Sequence, residues 1–155
     1  MSEIVWQPSE NLLKHSQMAQ FMKKVNDEFD YDFQTYHELH EWACLNPKDF
    51  WGFFWKEANL ICSSSYEDVL TGHQMPGVRW FTNARLNYAE QCLRYRDDHD
   101  AIINANESGE INRTTYADLY KKVSRCQQWL QDKGIQKGDR VAAVVTNCEE
   151  TIVLF

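Results

Sequence analysis

The stretch Gly134-Ile135-Gln136-Lys137-Gly138-Asp139-Arg140-Val141-Ala142-Ala143-Val144-Val145 carries the decision about fold. Gly134 supplies the left-handed residue that ends a helix, and Ile135 beyond it is placed to touch Leu130, the apolar contact that accompanies such a stop. Lys137-Gly138-Asp139 makes a turn into Arg140–Val145, and Val141 to Val145 is an uninterrupted apolar run. A run of this kind suits a parallel strand covered on both faces. Upstream, Thr115 with Asp118 caps a helix whose buried face is Tyr116, Leu119, Tyr120, Val123, Cys126 and Leu130. Before that helix, Ala101-Ile102-Ile103 reads as a short strand, Ser108-Gly109 as a turn and Ile111–Thr115 as the antiparallel return. After the apolar run, Asn147 with Glu150 opens a last helix that reaches Phe155. Strand, helix, strand, helix is the start of a doubly wound α/β domain.

The character of the sequence changes near Asp97, which divides the chain into a helical region, 1–97, and the α/β region, 98–155. In the first region Met18, Phe21, Met22, Val25 and Phe29 form one stripe of an amphipathic helix. Thr35 followed by Glu38 is a capping box that opens a helix through Leu39 and Trp42. Asn46 then Pro47 reads as an N-cap with proline at the first helical position, leading into Phe50, Trp51, Phe54 and Trp55. Residues 63–79 read as an irregular loop around Gly72, Pro76 and Gly77, and a further helix is expected from near Asn83, with Leu86, Ala89 and Leu93 on one face.

Length bounds the chain to roughly one core, and 43% hydrophobic with 25% charged residues is a globular composition. A net charge of −7 with no basic stripe argues against nucleic acid or an anionic membrane as partner. No apolar stretch has the length of a signal peptide core or a membrane span. Five cysteines, odd in number and never in a C-x-x-C pair, read as free thiols of a reducing compartment, which points to the cytosol.

His37-Glu38-Leu39-His40-Glu41 resembles a metalloprotease helix only superficially, because its histidines are three apart rather than four and no third ligand is evident. A solvated helix face is the better reading. Gly138-Asp139-Arg140 is too short for a phosphate loop, Cys126 lies on an apolar face, and Asp97, Asp98 and Asp100 with His99 read as a charged surface loop. The aromatic density is unusual: ten of the 27 residues from Phe29 to Trp55 are Phe, Tyr or Trp. At helical spacing these are expected to pack, with Trp42, Trp51 and Trp55 substantially buried, rather than to form a cofactor-stacking box.

Trp42-Ala43, Asn46-Pro47-Lys48-Asp49-Phe50-Trp51 and Phe54-Trp55, then Trp80-Phe81 and Leu86-Asn87-Tyr88-Ala89-Glu90, resemble the amino-terminal helical region of the short-chain acyl-CoA synthetases. Thr115-Tyr116-Ala117-Asp118-Leu119 with Gly134–Ala142 is similar to the opening of the adenylate-forming, AMP-binding domain. Within that group, residues 86–90 and Thr146-Asn147-Cys148-Glu149 resemble the acetoacetyl-CoA synthetases more than the acetyl-CoA synthetases. Thr146 stands where the family commonly has proline. The resemblance covers nearly the whole chain.

The resemblance implies a two-step ligase that uses ATP, coenzyme A and Mg²⁺ to turn acetoacetate into acetoacetyl-CoA through an acyl-adenylate. The family's phosphate loop, ribose-binding aspartate and mobile lysine lie beyond Phe155, so no catalytic, cofactor-binding or metal residue is carried onto these 155 positions. The expectation is therefore an amino-terminal piece, inactive alone, with no cofactor bound. Its apolar ending, Thr151-Ile152-Val153-Leu154-Phe155, has no cap or polar tail, which favours continuation. An uncovered strand and a short last helix favour self-association. The competing readings are a stand-alone helical interaction module, and a ligase for acetate, propionate or a similar acid.

Overall fold

The computed structural model describes residues 5–72 and 74–155. They form two compact units, the first running through Leu60 and Ser64–Arg85, the second comprising Ile61–Ser63 and Leu86–Phe155.

The first unit is built from four helices, α1 (Glu10–His15), α2 (Gln17–Phe29), α3 (Tyr36–Leu45) and α4 (Pro47–Glu57). Ser16 joins two of them: its amide donates to the Leu12 carbonyl at the end of α1, while its hydroxyl accepts from the Ala19 amide and caps α2. Asp30, in the left-handed region at φ 57°, stops α2. The capping box on α3 is complete. The Glu38 amide donates to Thr35 Oγ1, and Glu38 Oε2 accepts from the amides of Gln34 and Thr35, both at 2.8 Å. Asn46 occupies the N-cap of α4, but its side chain turns back and donates to the Trp42 carbonyl at 3.0 Å. Proline at the next position has no N–H to satisfy, so that end tolerates the loss.

The stripe on α2 meets the aromatics of α3 and α4 in one core. Val25, Leu39, Trp42 and Phe53 are buried, with Phe21, Met22, Phe29, Phe33 and Phe50 packed around them. Trp55 is buried too, against the rings of Tyr66 and Phe81 at 5.2 and 4.7 Å between centroids. Gly52 faces Val69 so closely that an added Cβ would come within 3.1 Å of its side chain. Trp51 departs from expectation. It is 40% exposed: Trp55 lies one turn further along the same side of α4, but Tyr66 and Phe81 cover Trp55, whereas Trp51 stands edge-on to Trp80. The stretch expected as an irregular loop also contains strand pairing: β1 (Leu70–Thr71) and β2 (Arg79–Trp80) run antiparallel.

In the second unit α5 spans Tyr88–Cys92, capped by Asn87, whose side chain accepts from the Glu90 amide. It starts later than the expected Asn83. Phe81 and Asn83 both sit at positive φ (45° and 63°), and the Phe81 and Thr82 amides are held by the carbonyls of Val69 and Asp68, so no helix can begin there. Gln91 of α5 uses its side-chain amide twice: Oε1 accepts from the Ile61 amide at 3.1 Å, and Nε2 donates to the Ile61 carbonyl. The hairpin of β3 (Asp100–Ala105) and β4 (Ile111–Thr115) is antiparallel as expected, and Arg113 pairs with Asp100 across it.

β4 passes directly into α6 (Tyr116–Asp132), where Thr115 Oγ1 accepts from the Asp118 amide. Every residue expected on its inner face is buried or half-buried, with Leu119 the most enclosed. Gly134, at φ 82°, ends the helix: its amide reaches the Gln131 carbonyl, and the Ile135 amide reaches the Leu130 carbonyl at 3.1 Å. The last helix, α7 (Glu149–Leu154), starts at Cys148 rather than Asn147, with no side-chain cap, and Lys122 of α6 pairs with Glu149 in its first turn.

The expected strand Val141–Val145 is the main correction. These residues pair with no strand, and Val141, Val144 and Val145 are exposed. The described residues hold two two-stranded antiparallel sheets and no parallel pairing. An apolar run becomes a strand only when a neighbouring strand supplies hydrogen bonds along at least one edge. No described residue of this chain supplies them.

Two outcomes follow from this packing. Trp42→Ala, deleting a buried ring, should cost about 3–5 kcal/mol in urea unfolding, whereas half-exposed Trp51→Ala should cost about 1–2 kcal/mol. Equal losses would mean that Trp51 is core after all. The second concerns the box on α3, whose amides hold the Glu38 carboxyl below its ordinary value, with the Gln34 hydrogen bond the largest cause. A carboxyl depressed on folding contributes stability that is present above its unfolded pKa and lost as pH falls through the folded one. Melting of the chain should therefore show an acid-side loss of stability that Glu38→Ala makes smaller, and an unchanged loss would overturn the assignment.

Candidate functional site

The first unit offers a groove of about 600 Å³ between α2, α3 and α4. Its floor includes Phe21, Leu39, Phe50 and Phe54; at its rim lie His40 and the Lys24–Glu57 ion pair. The exposed face of α3 sorts the histidine run into separate roles. Glu38 is taken up by the cap, and His40 lies against the Tyr36 ring at 5.7 Å between centroids. His40 Nε2 stands 3.7 Å from Cys44 Sγ, one helical turn on. The two histidines, His37 and His40, do not come together as a pair. The pair brought together is His40 and Cys44, and their spacing of four was the signal that could have found it.

The second unit carries an apolar groove of about 750 Å³, lined by Leu93, Tyr120, Val123, Leu130, Val153 and Phe155 among others. The Arg96 guanidinium lies 4.0 Å from the Tyr120 ring centroid, a cation–π contact that no motif announced. Beyond α6 the turn at Gly138 is closed twice, by the Asp139 amide on the Gln136 carbonyl and by the Gln136 amide on Asp139 Oδ2. Those two bonds make a tight turn. Cys126 is half-buried on α6. Of the acidic loop, Asp97 accepts from the His99 amide and Asp100 is paired with Arg113.

The shifted titratable groups share one cause. Asp118 is lowered chiefly by its hydrogen bond from Lys121, Asp97 by the His99 amide, and the Cys148 thiol by the Thr151 hydroxyl. Each partner favours the ionised form. A carboxyl that is to donate a proton at neutral pH needs the opposite, a raised value from burial or like charge. Among the described residues no three His, Cys, Asp or Glu side chains are grouped to hold a metal ion, and no helix is long and apolar enough to cross a membrane.

Comparison with known proteins sets these surfaces in a family. The model of the acetyl-coenzyme A synthetase N-terminus matches residues 36–92, and the AMP-binding enzyme model matches residues 88–155. The two matches meet on α5. An acetoacetyl-coenzyme A synthetase of Rhizobium meliloti is 36% identical over 97% of this chain and 23% of its own length. A malonamoyl-CoA synthetase of Penicillium aethiopicum is 35% identical over 97% of the chain and 22% of its own length. The solved structure of acetoacetyl-CoA synthetase from Streptomyces lividans superposes with a TM-score of 0.88 at 28% identity, over 98% of this chain and 24% of that one. The chain thus spans about a quarter of the length of the curated relatives it matches. Matched by the two models from residue 36 to residue 155, it belongs to the AMP-binding enzymes, in the branch that carries the acetyl-coenzyme A synthetase amino-terminal region.

Proposed function

We propose that this chain is the amino-terminal part of an ATP-dependent acid–thiol ligase that makes acetoacetyl-CoA. The observation that carries the reading is the joint match of both family models on one chain, together with relatives named for acetoacetyl-CoA. A carboxylate is a poor acyl donor because its charge repels nucleophiles and oxide is its leaving group. In the proposed reaction the acetoacetate oxygen attacks the α-phosphorus of ATP and pyrophosphate leaves. The thiol of coenzyme A then displaces AMP from the acyl-adenylate, losing its proton. Mg²⁺ would offset phosphate charge in that complex, and no residue of this chain is assigned to it. The role we assign to the first unit is a packed aromatic support. The second unit is the opening of a doubly wound α/β domain, in which Val141–Val145 becomes an interior strand once paired. Five free thiols fit a cytosolic enzyme.

A second acyl group has a specific observation behind it, the malonamoyl-CoA synthetase at nearly the same identity. Acetoacetate and malonamate share a carbonyl two carbons from the carboxyl and differ by a methyl against an amide nitrogen. A pocket that hydrogen-bonds the amide would reject the methyl strongly, whereas an apolar pocket separates the two only modestly.

In a chain extended to the relatives' length, competition between acetoacetate, malonamate and acetate for acyl-CoA product should give acetoacetate the largest kcat/KM. A larger value for either rival overturns the acyl assignment. This chain alone should leave ATP–pyrophosphate exchange at background, and a clear signal from it would overturn the division of labour proposed here.

We also infer self-association of the chain, supported by the exposed Val141, Val144, Val145, Ile152, Leu154 and Phe155. Light scattering over a dilution series should show mass rising with concentration. A compact monomer throughout would overturn the inference.

A further inference from the structure

We propose that His40 and Cys44 form a two-ligand site for a thiophilic divalent cation of the zinc type, on the exposed face of α3. The bite is the first reason. Zinc bonds nitrogen at about 2.0–2.1 Å and sulfur at about 2.3 Å, so a tetrahedral angle sets the two donors about 3.6 Å apart. His40 Nε2 and Cys44 Sγ are 3.7 Å apart with no ion between them. The separation of the two donors therefore already matches the bite that the cation requires.

Orientation is the second reason. The His40 ring is stacked on Tyr36, at 29° between planes, which holds the imidazole edge toward the Cys44 turn. Access is the third, since both residues are exposed. On binding, the thiol proton leaves to solvent as the metal–sulfur bond forms, and the neutral imidazole gives its Nε2 lone pair. Water fills the remaining positions, so this is an open site.

The placement has a mechanical result. Residues 40 and 44 bracket Trp42, so a cation bridging them braces the turn of α3 that carries the central core ring. A ligand that binds the folded form alone raises its stability. The site thereby couples a soluble cation to the firmness of the aromatic unit, independently of any acyl-CoA chemistry.

The test is a titration of the reduced chain with Cd²⁺, read by thiolate-to-cadmium charge-transfer absorption, paired with thermal unfolding by circular dichroism with and without Zn²⁺. The wild type should show one saturating step per chain and a Zn²⁺-dependent rise in Tm. Cys44→Ser should remove both, and His40→Gln should raise the Cd²⁺ Kd by at least about tenfold. Cys92→Ser, at another exposed thiol, should change neither. An unchanged step in Cys44→Ser, or a shift below about tenfold in His40→Gln, overturns the proposal. Both side chains are on the surface, so circular dichroism of the metal-free variants should match the wild type and separate loss of binding from loss of fold.

Discussion

The indole of Trp42 meets the rings of Phe29, Tyr31, Phe33 and Phe50, each within 6.3 Å between centroids. Those four rings come from the end of α2, the link that follows it, and α4. One side chain on α3 therefore ties together α2, the link and α4. Aromatic pairs at such distances prefer tilted and edge-on geometries, which fix relative orientation as well as proximity. The short connections around it follow from this arrangement. The Asn26 side chain both accepts from the Phe33 amide and donates to the Phe33 carbonyl, pinning the link at the point where Phe33 must reach the indole.

The second unit has no comparable centre. Its order comes from α6, which is capped by Thr115, ended by Gly134 and joined directly to the hairpin. Around that helix only one face finds company. The groove beside α6 and the exposed valines beyond it belong to a chain whose matched relatives are about four times as long. The contrast between the units matches the division between their family models: the helical part packs on itself, and the AMP-binding part presents a face.

Much of this was legible from residues alone because the signals were local. Thr35 with Glu38, Thr115 with Asp118, and Gly134 with Ile135 each satisfy backbone groups within a few positions, and the two caps and the helix stop are all present. The apolar stripes of α2 and α6 were equally plain. What escaped was set by partners far along the chain. Asn83 does not open a helix because residues 81–82 are tied to 68–69. Val141–Val145 has the composition of a strand, but composition supplies no neighbour. Trp51 and Trp55 share a helix, a side of it and a residue type, and the position of Tyr66 and Phe81 decides which one is enclosed. The pairing of His40 with Cys44 was readable in principle from spacing and was obscured by the more familiar histidine pattern beside it.

Gln91 shows how narrow a requirement one side chain can impose. Its carboxamide faces both polar groups of Ile61, accepting from one and donating to the other, as a neighbouring strand's peptide would. Position 91 thus works as a detached piece of main chain carried on two methylenes. Glutamate has the shape but offers the Ile61 carbonyl a second acceptor in place of a donor. Asparagine has the right atoms on too short an arm, and no other residue presents both functions on one planar head. Within the second unit, Ile61 is therefore recognised by a molecular mimic of a β-ladder, presented by a helix rather than by a strand.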